Sequence, residues 1–141
     1  MNVPAPGQEL TLDELERVAA DLWAGLPPGS VVWLTGELGS GKTTFVKALA
    51  RVANAGDAHS PTFALVHEYS SPAGLVVHVD CYRLRHPDEA LDLDFAGVLR
   101  VARLLLIEWP EQAGAYAPAP DAHLHFTHGE RPETRRVERL R

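Results

Sequence analysis

The sequence predicts one α/β domain whose sheet includes an antiparallel pair of strands. First, the apolar run at 31–35 is followed by a glycine-rich loop and then by apolar residues at helical spacing. Second, two strand patterns, 62–69 and 75–80, are separated by a turn of hairpin length. Third, the almost wholly apolar run at 101–107 is typical of a fully buried strand. The 141 residues suit one domain with one sizeable core, so we take 1–141 as that domain.

The chain opens with a segment containing proline and glycine, 1–9, which is expected to be loosely ordered. Thr11 and Glu14 have the spacing of a capping box, which predicts a helix from there to about Ala24. The apolar positions of this helix form one face, with Trp23 expected in the core rather than in a functional role. They are Leu12, Leu15, Val18, Ala19, Leu22 and Trp23.

The loop after the first strand fits the pattern G-x-x-x-x-G-K-[ST] at every fixed position. It comprises Gly36, Glu37, Leu38, Gly39, Ser40, Gly41, Lys42 and Thr43. In such loops, glycines let backbone N–H groups turn inward around phosphate oxygens, and the next helix points its positive end at the same anion. Lys42 is then placed to reach the β- and γ-phosphates, and the Thr43 hydroxyl to bind Mg²⁺. The motif in this strand–loop–helix context predicts a phosphate-loop (P-loop) NTPase.

The remaining chain alternates between strand and helix patterns. Pro87 and the acids after it indicate a helix start, and a second short helix is expected at 95–100. The other segments are a helix at 45–53, a loop at 114–120, a half-buried strand at 122–128 and an edge strand at 134–140.

Two carboxylates end apolar strands and are candidates for the second acid that a phosphate-loop NTPase needs. Asp80 follows the strand 75–80, and Glu108 follows the buried strand 101–107. Such an acid binds the Mg²⁺ side of the site or polarises the attacking water. The alternative for either residue is a solvated acid at a strand end. Thr62, in Ser-Pro-Thr, occupies the place where switch-type NTPases sense the γ-phosphate, although the tripeptide is also ordinary turn chemistry.

Other reactive side chains favour structural roles. His123 and His125 project to one strand face with no cysteine near them, which indicates satisfied, half-buried or surface histidines rather than metal ligands. Cys81 is the only cysteine, so no intrachain disulfide is possible, and a packing role is expected for it. Five arginines at 131–141 are interleaved with glutamates; they form a solvated edge, or one of them packs on a nucleotide base or meets a partner.

Composition narrows the class of protein further. A formal net charge of -6 argues against a broad nucleic-acid-binding surface. No apolar run approaches the roughly 18 residues of a membrane span, and 1–9 lack the features of a secretory signal. Together with the single cysteine, these features lead us to expect a cytoplasmic protein that does not bind membranes.

Four blocks of the sequence together resemble the bacterial ATPase family of tRNA threonylcarbamoyladenosine biosynthesis (TsaE, formerly YjeE). They occur in the family's order and spacing, and the similarity covers about 10–128. The blocks are the loop extended through Thr44 and Phe45, Ser-Pro-Thr-Phe-Ala-Leu-Val at 60–66, Asp-Cys-Tyr-Arg-Leu at 80–84, and Ile-Glu-Trp-Pro-Glu at 107–111.

The resemblance implies roles for matching positions. Thr43 and Glu108 would lie on the Mg²⁺ side, and Thr62 would be a switch-like threonine. Asp80 would be a catalytic or metal-side acid. Two further residues would contact the nucleotide: Trp109 beside the site, and Thr11 near the adenine. The loop residues from Gly36 to Thr44 would bind the phosphates, with Lys42 also serving catalysis.

The family's fold is a small α/β domain with a mixed central sheet flanked by helices. Its implied function is ATP binding and slow hydrolysis within a complex of the TsaB and TsaD proteins. Those partners transfer a threonylcarbamoyl group to adenosine 37 of tRNAs reading ANN codons, so contact with tRNA would be indirect. The chain departs from the family pattern at Cys81, where leucine is usual, and in a shorter acidic segment at 90–95.

Two other functions remain open from the sequence. Phosphate-loop kinases share the first motif, but the candidate lid after Asp80 carries few basic residues beyond Arg83 and Arg85. A nucleotide-gated binding module without significant turnover would place Asp80 and Glu108 in the same way. A GTPase is disfavoured because the chain has no Asn-Lys-x-Asp base-reading motif.

Overall fold

The computed structural model describes residues 9–56 and 65–141. Seven strands form one sheet in the order β1-β7-β6-β2-β5-β4-β3. The strands are β1 (Glu9–Leu10), β2 (Ser30–Gly36), β3 (Val66–Ser71), β4 (Gly74–Asp80), β5 (Ala102–Glu108), β6 (Ala122–His128) and β7 (Arg135–Arg139). The helices are α1 (Leu12–Gly25), α2 (Lys42–Val52) and α3 (Phe95–Val101), with 3₁₀ helices at Pro87–Leu93 and Pro110–Tyr116.

The sheet is mixed, as expected. β2 pairs in parallel with both β5 and β6, and β5 pairs in parallel with β4. The other three pairings, β1 with β7, β6 with β7 and β3 with β4, are antiparallel. The predicted hairpin is confirmed, because β3 and β4 pair from Ser71–Gly74 inward around a two-residue turn. Since parallel strands end at the same edge, the carboxyl ends of β2, β4 and β5 lie side by side there.

Each face of the sheet buries its own apolar core. On one face, α1 and α2 pack over side chains that include Leu34, Leu106 and Phe126, and Phe45 and Leu49 of α2 are buried there. On the other face, the 3₁₀ helices and α3 cover Val77, Val79 and neighbours. Side chains alternate between these faces along each strand. Helices therefore cover both faces of the sheet, and this packing positions the loop that joins β2 to α2.

Several details differ from the sequence-based expectations. Leu12, expected on the apolar face of α1, is 45% exposed because it lies in the first turn. Val101, expected in a strand, ends α3 instead and is 68% exposed. Gly114, expected to open a loop, lies within a kinked 3₁₀ helix.

The two ends of the described chain also pair in a way that the sequence does not predict. The segment 1–9 is expected to be loosely ordered, yet Glu9 and Leu10 form β1 against β7. The strand at the C-terminal end, expected at the edge of the sheet, therefore lies between β1 and β6. Glu9 reinforces this pairing, because its carboxylate accepts hydrogen bonds from Thr134 and Arg136. Within residues 9–56 and 65–141, no helix is long and apolar enough to cross a membrane.

Candidate functional site

The predicted phosphate loop connects the end of β2 to the start of α2. Its first glycine, Gly36, has a φ of 135°, and a Cβ there would lie 2.2 Å from the carbonyl oxygen of Phe126 on β6. Gly41 has a φ of 112°, and a Cβ there would lie 2.6 Å from Cδ of Arg135. Both positions combine a left-handed backbone with close neighbours, so both require glycine. The loop is thereby held tightly against β6 and β7.

Lys42 begins α2 and is only 4% exposed. Its ammonium group donates hydrogen bonds to the carbonyl oxygens of Gly36 and of Glu37, the latter at 3.1 Å. Nζ also lies 4.3 Å from the centroid of the Trp109 ring, within the range of a cation–π contact. Burial lowers the pKa of Lys42, although the carboxylates of Glu108, Asp80 and Glu111 act in the opposite direction. A buried cation thus lies inside the curve of the loop.

Glu108 ends β5 and is also nearly buried, at 3% exposed. The hydroxyl of Thr43 donates toward both carboxylate oxygens, at 3.3 and 3.2 Å. Nε2 of His78, on β4, lies 2.5 Å from Oε2 of the same carboxylate. Glu108 and Thr43, which are both predicted on the metal side, are therefore in direct contact.

Asp80 lies beside Glu108 because the two residues are partners in the parallel pairing of β4 with β5. Asp80 is half-buried, and its Oδ1 accepts a hydrogen bond from the backbone N–H of Tyr82 at 3.0 Å. Lys42, Thr43, Asp80, Glu108 and Trp109 line one cleft of about 160 Å³ together with the loop. Five of the residues singled out from the sequence therefore converge on a single cavity.

Four more residues of the loop and the start of α2 line the same cleft, whereas Gly36 and Glu37 line a neighbouring cavity. Leu38, Gly39, Gly41 and Thr44 belong to the lining of the cleft, and Leu38 is exposed at its rim. Ser40 is buried, and its hydroxyl has no hydrogen-bond partner in the described part of the chain. A loop with inward-facing polar groups of this kind suits an anionic ligand.

The lining of this cleft does not include the predicted binding residues Thr11, Gly36, Glu37 and Ser40. Thr11 caps α1 through the predicted capping box, in which its hydroxyl and backbone N–H are both hydrogen-bonded to Glu14. It does not belong to the cleft lining, and contact with an adenine stays a prediction. Thr62 lies outside the described residues, so its switch-like role also stays a prediction.

Three neighbours of the cleft are missed by reasoning from the sequence. His78 contacts Glu108, Tyr82 packs 5.0 Å from the Trp109 ring, and Arg135 lies across Gly41. His78 has a detectable signal, since it lies two residues before Asp80 and so shares its strand face. Arg135 is one of five arginines near the C-terminal end, and only the pairing of β6 with β7 distinguishes it from the rest.

His123, His125 and Cys81 are expected to have structural roles, and each is at least half-buried within the fold. Nε2 of His123 and Nδ1 of His125 both lie 2.8 Å from the hydroxyl of Thr35, and both rings are half-buried. Burial and the neighbouring His125 lower the pKa of His123. Cys81 is fully buried, and burial raises the pKa of its thiol to about 12, which disfavours the nucleophilic thiolate.

Comparisons with a family model and with curated proteins point to one family. Residues 10–137 match the family model described as threonylcarbamoyl adenosine biosynthesis protein TsaE. Similar curated proteins are each described as tRNA threonylcarbamoyladenosine biosynthesis protein TsaE. The one from Aquifex aeolicus is 37% identical over 71% of this chain and 72% of its own length. The one from Nostoc sp. is 36% identical over 86% and 84%. The one from Haemophilus influenzae is 36% identical over 64% of this chain, a match that spans 58% of that relative.

A solved structure shares the fold. The crystal structure of Bacillus subtilis YdiB superposes with a TM-score of 0.66 at 23% sequence identity, covering 94% of this chain and 85% of that one. At this identity the likeness supports the architecture alone. It fits the mixed α/β sheet flanked by helices that the sequence predicts.

Proposed function

Because this chain belongs to the TsaE family, and so takes part in tRNA threonylcarbamoyladenosine biosynthesis, we propose that it is a Mg²⁺-dependent ATPase. It binds and slowly hydrolyses ATP as an accessory subunit of the TsaB–TsaD complex. One observation carries the ATPase part of this proposal. Lys42, Thr43, Asp80 and Glu108 come from separate points of the sheet edge and loop and meet in one cleft.

The donor set of the cleft fits ATP with Mg²⁺. The Thr43 hydroxyl and the Glu108 carboxylate are oxygen ligands, which Mg²⁺ prefers, and they already lie within 3.3 Å of each other. Among the described residues, no group of three or more His, Cys, Asp or Glu side chains could hold a metal. This agrees with an ion that takes its other ligands from phosphate oxygens and water. When bound, Mg²⁺ would neutralise charge on the β- and γ-phosphates.

The loop and Lys42 would bind the phosphates. The N-terminus of α2 opens at Lys42, directly after the loop, so its free N–H groups and the ammonium group face the same volume. The carbonyl oxygens of Gly36 and Glu37 hold Nζ in the curve of the loop. A polyanionic ligand there would offset the cost of burying the Lys42 cation.

Glu108 and Asp80 have different surroundings, which favour different roles in the proposed reaction. Glu108 is nearly buried and held by two donors, so its carboxylate is fixed in place, as a metal-side ligand requires. Asp80 is more open to solvent and has a backbone N–H on one of its oxygens. No hydrogen bond to its other oxygen is made within residues 9–56 and 65–141, and we propose that this oxygen orients a water for attack on the γ-phosphate. We therefore assign the metal side to Glu108 and the water side to Asp80.

The partners follow from the family. The net charge of -6 argues against direct binding of tRNA, so the link to tRNA would pass through the TsaB and TsaD proteins. ATP turnover in this chain would reset that complex between rounds of threonylcarbamoyl transfer, which the partners catalyse.

The proposal is tested by ATP hydrolysis with the purified protein alone and with TsaB and TsaD, using Lys42→Ala as the control. We expect weak turnover alone, stimulation by the partners and loss of both in Lys42→Ala. Robust turnover alone with no response to the partners would overturn the accessory role. Unchanged ATP affinity in Lys42→Ala would overturn the assignment of the loop.

A further inference from the structure

His78 is a buried histidine whose role the proposed mechanism has not yet explained. It lies on β4, between β5 and the edge strand β3; it is 4% exposed, and its Nε2 lies 2.5 Å from Oε2 of Glu108. A carboxylate oxygen only accepts hydrogen bonds, so Nε2 carries the hydrogen and donates it. The contact is shorter than either hydrogen bond from Thr43 to the same carboxylate. It is therefore the closest polar contact that Glu108 makes among the described residues.

The contact with His78 is placed so that it can fix the rotamer of the Glu108 side chain. Glu108 lies at the end of β5, on the same sheet face as the apolar Leu104 and Leu106. A carboxylate in such surroundings needs hydrogen-bond donors, and the described residues supply two to Glu108. One, Thr43, lies on the phosphate loop and is itself expected to bind the metal. The other, His78, lies on β4, which is hydrogen-bonded to a strand on each side.

We propose that His78 is a positioning residue for the nucleotide-bound Mg²⁺: its hydrogen bond holds the Glu108 carboxylate where the ion binds. This inference rests on the proposed ATPase function and deepens it. Histidine N–H groups and carboxylates behind metal ligands commonly orient those ligands, and their loss costs about 10- to 100-fold in metal affinity. His78 touches neither the ion nor the nucleotide in this scheme, so its effect passes through Glu108.

A neighbouring histidine provides a matched control. His67 is the cross-strand partner of His78, and the two rings stack with centroids 5.5 Å apart. Nδ1 of His67 has no hydrogen-bond partner in residues 9–56 and 65–141, whereas Nε2 of His78 donates to Glu108. Replacing His67 thus disturbs the same ring stack while leaving the hydrogen bond to the carboxylate in place.

The test measures the binding of a non-hydrolysable ATP analogue by calorimetry, with EDTA and then with increasing Mg²⁺. The midpoint is the Mg²⁺ concentration that gives half of the Mg²⁺-dependent increase in affinity for the analogue. In His78→Phe we expect this midpoint to rise by about 10- to 100-fold, while the affinity for the analogue without metal stays unchanged. His67→Phe should behave like the wild type. His78→Gln places an amide N–H near the position of Nε2 and should retain most of the Mg²⁺ response. His78→Asn, whose amide is too short to do so, should lose it.

The outcomes separate this inference from the function on which it rests. If the wild type binds more tightly with Mg²⁺ and both His78→Phe and His78→Asn do the same at the same concentrations, the positioning role is wrong while the ATPase proposal stands. If His67→Phe weakens the Mg²⁺ response as much as His78→Phe, the effect belongs to ring packing, and the inference is again wrong. If the wild type shows no Mg²⁺ response at all, the metal site of the proposed function fails and the inference fails with it. The Asn and Gln pair decides the question independently of how well the phenylalanine variant folds.

Discussion

Substituting Gly36 by alanine tests whether the phosphate loop must lie against β6. The φ of 135° at Gly36 is a conformation that residues with a side chain rarely adopt, and holding alanine there costs about 1–3 kcal/mol. The added Cβ would also lie 2.2 Å from the Phe126 carbonyl oxygen and 2.9 Å from the Ser40 hydroxyl. Relieving that overlap requires β2 and β6 to separate, which adds about 1–3 kcal/mol. The expected loss of unfolding free energy is therefore about 2–6 kcal/mol, a large part of the roughly 5–15 kcal/mol available to a domain.

Two other glycines separate these contributions. Gly29 has a φ of 83°, and a Cβ added there would meet nothing within 4 Å, so Gly29→Ala should show only the backbone cost, about 1–2 kcal/mol. Gly25, the last residue of α1, has neither a positive φ nor a close neighbour, and Gly25→Ala should change stability by less than about 1 kcal/mol.

Urea unfolding followed by circular dichroism gives the three free energies, and ATP binding is measured on the same samples. Gly36→Ala should be the least stable of the three and the only one with weakened ATP binding. If Gly36→Ala costs no more than Gly29→Ala, then β2 and β6 do not constrain the loop, and the close approach at Phe126 is not a determinant of the site.

Three further predictions concern the side chains of the cleft and its surroundings. Burial lowers the pKa of Lys42 in the folded protein below its ordinary value of 10.5. At a pH between the folded pKa and 10.5, the unfolded chain therefore binds more protons than the folded chain. The unfolding free energy of the nucleotide-free protein should rise with pH in that window while ATP affinity falls, and a rise that persists in Lys42→Met would contradict this. Asp80→Asn should lower ATP turnover by about 100-fold or more while the dissociation constant for ATP changes little; equal losses in both would remove Asp80 from the water side. Cys81 should resist iodoacetamide at about pH 8 until urea unfolds the protein, and rapid labelling of the native protein would contradict its burial.

Local sequence patterns are sufficient for the features whose physical cause is local. The capping box at Thr11 and Glu14 places the start of α1 correctly, because the cap is made within four residues. The loop pattern locates the junction of β2 and α2, since its glycines and Lys42 act on the backbone next to them. The almost wholly apolar run of β5 also predicts a buried strand, because a strand that is covered on both faces carries few polar side chains.

Features that depend on distant pairing are not predictable in this way. β1 has two residues, too few for any periodic pattern, and it exists because β7 offers an unpaired edge and Glu9 binds Thr134 and Arg136. Without β1, the last strand would be the edge strand that the sequence suggests. Val101 is apolar like the strand that follows it, and only the helical hydrogen bonds of α3 distinguish it.

The candidate site depends both on local sequence patterns and on the pairing of distant strands. Strand alternation alone places His78 and Asp80 on one face of β4, and the motif places Lys42 and Thr43 at the start of α2. Strand alternation does not predict which strand pairs with β4. The parallel register that sets Asp80 opposite Glu108 also sets His78 opposite Leu106, one pleat back on the same face as Glu108. A histidine side chain on β4 is then long enough to reach the glutamate at the end of β5. If β4 shifted by one residue against β5, His78 and Glu108 would lie on opposite faces of the sheet, and the contact between them would be lost. The hydrogen bond from His78 to Glu108 therefore depends on the same register that brings the two acids together, so loss of that register would dismantle the metal side and the water side of the site at once.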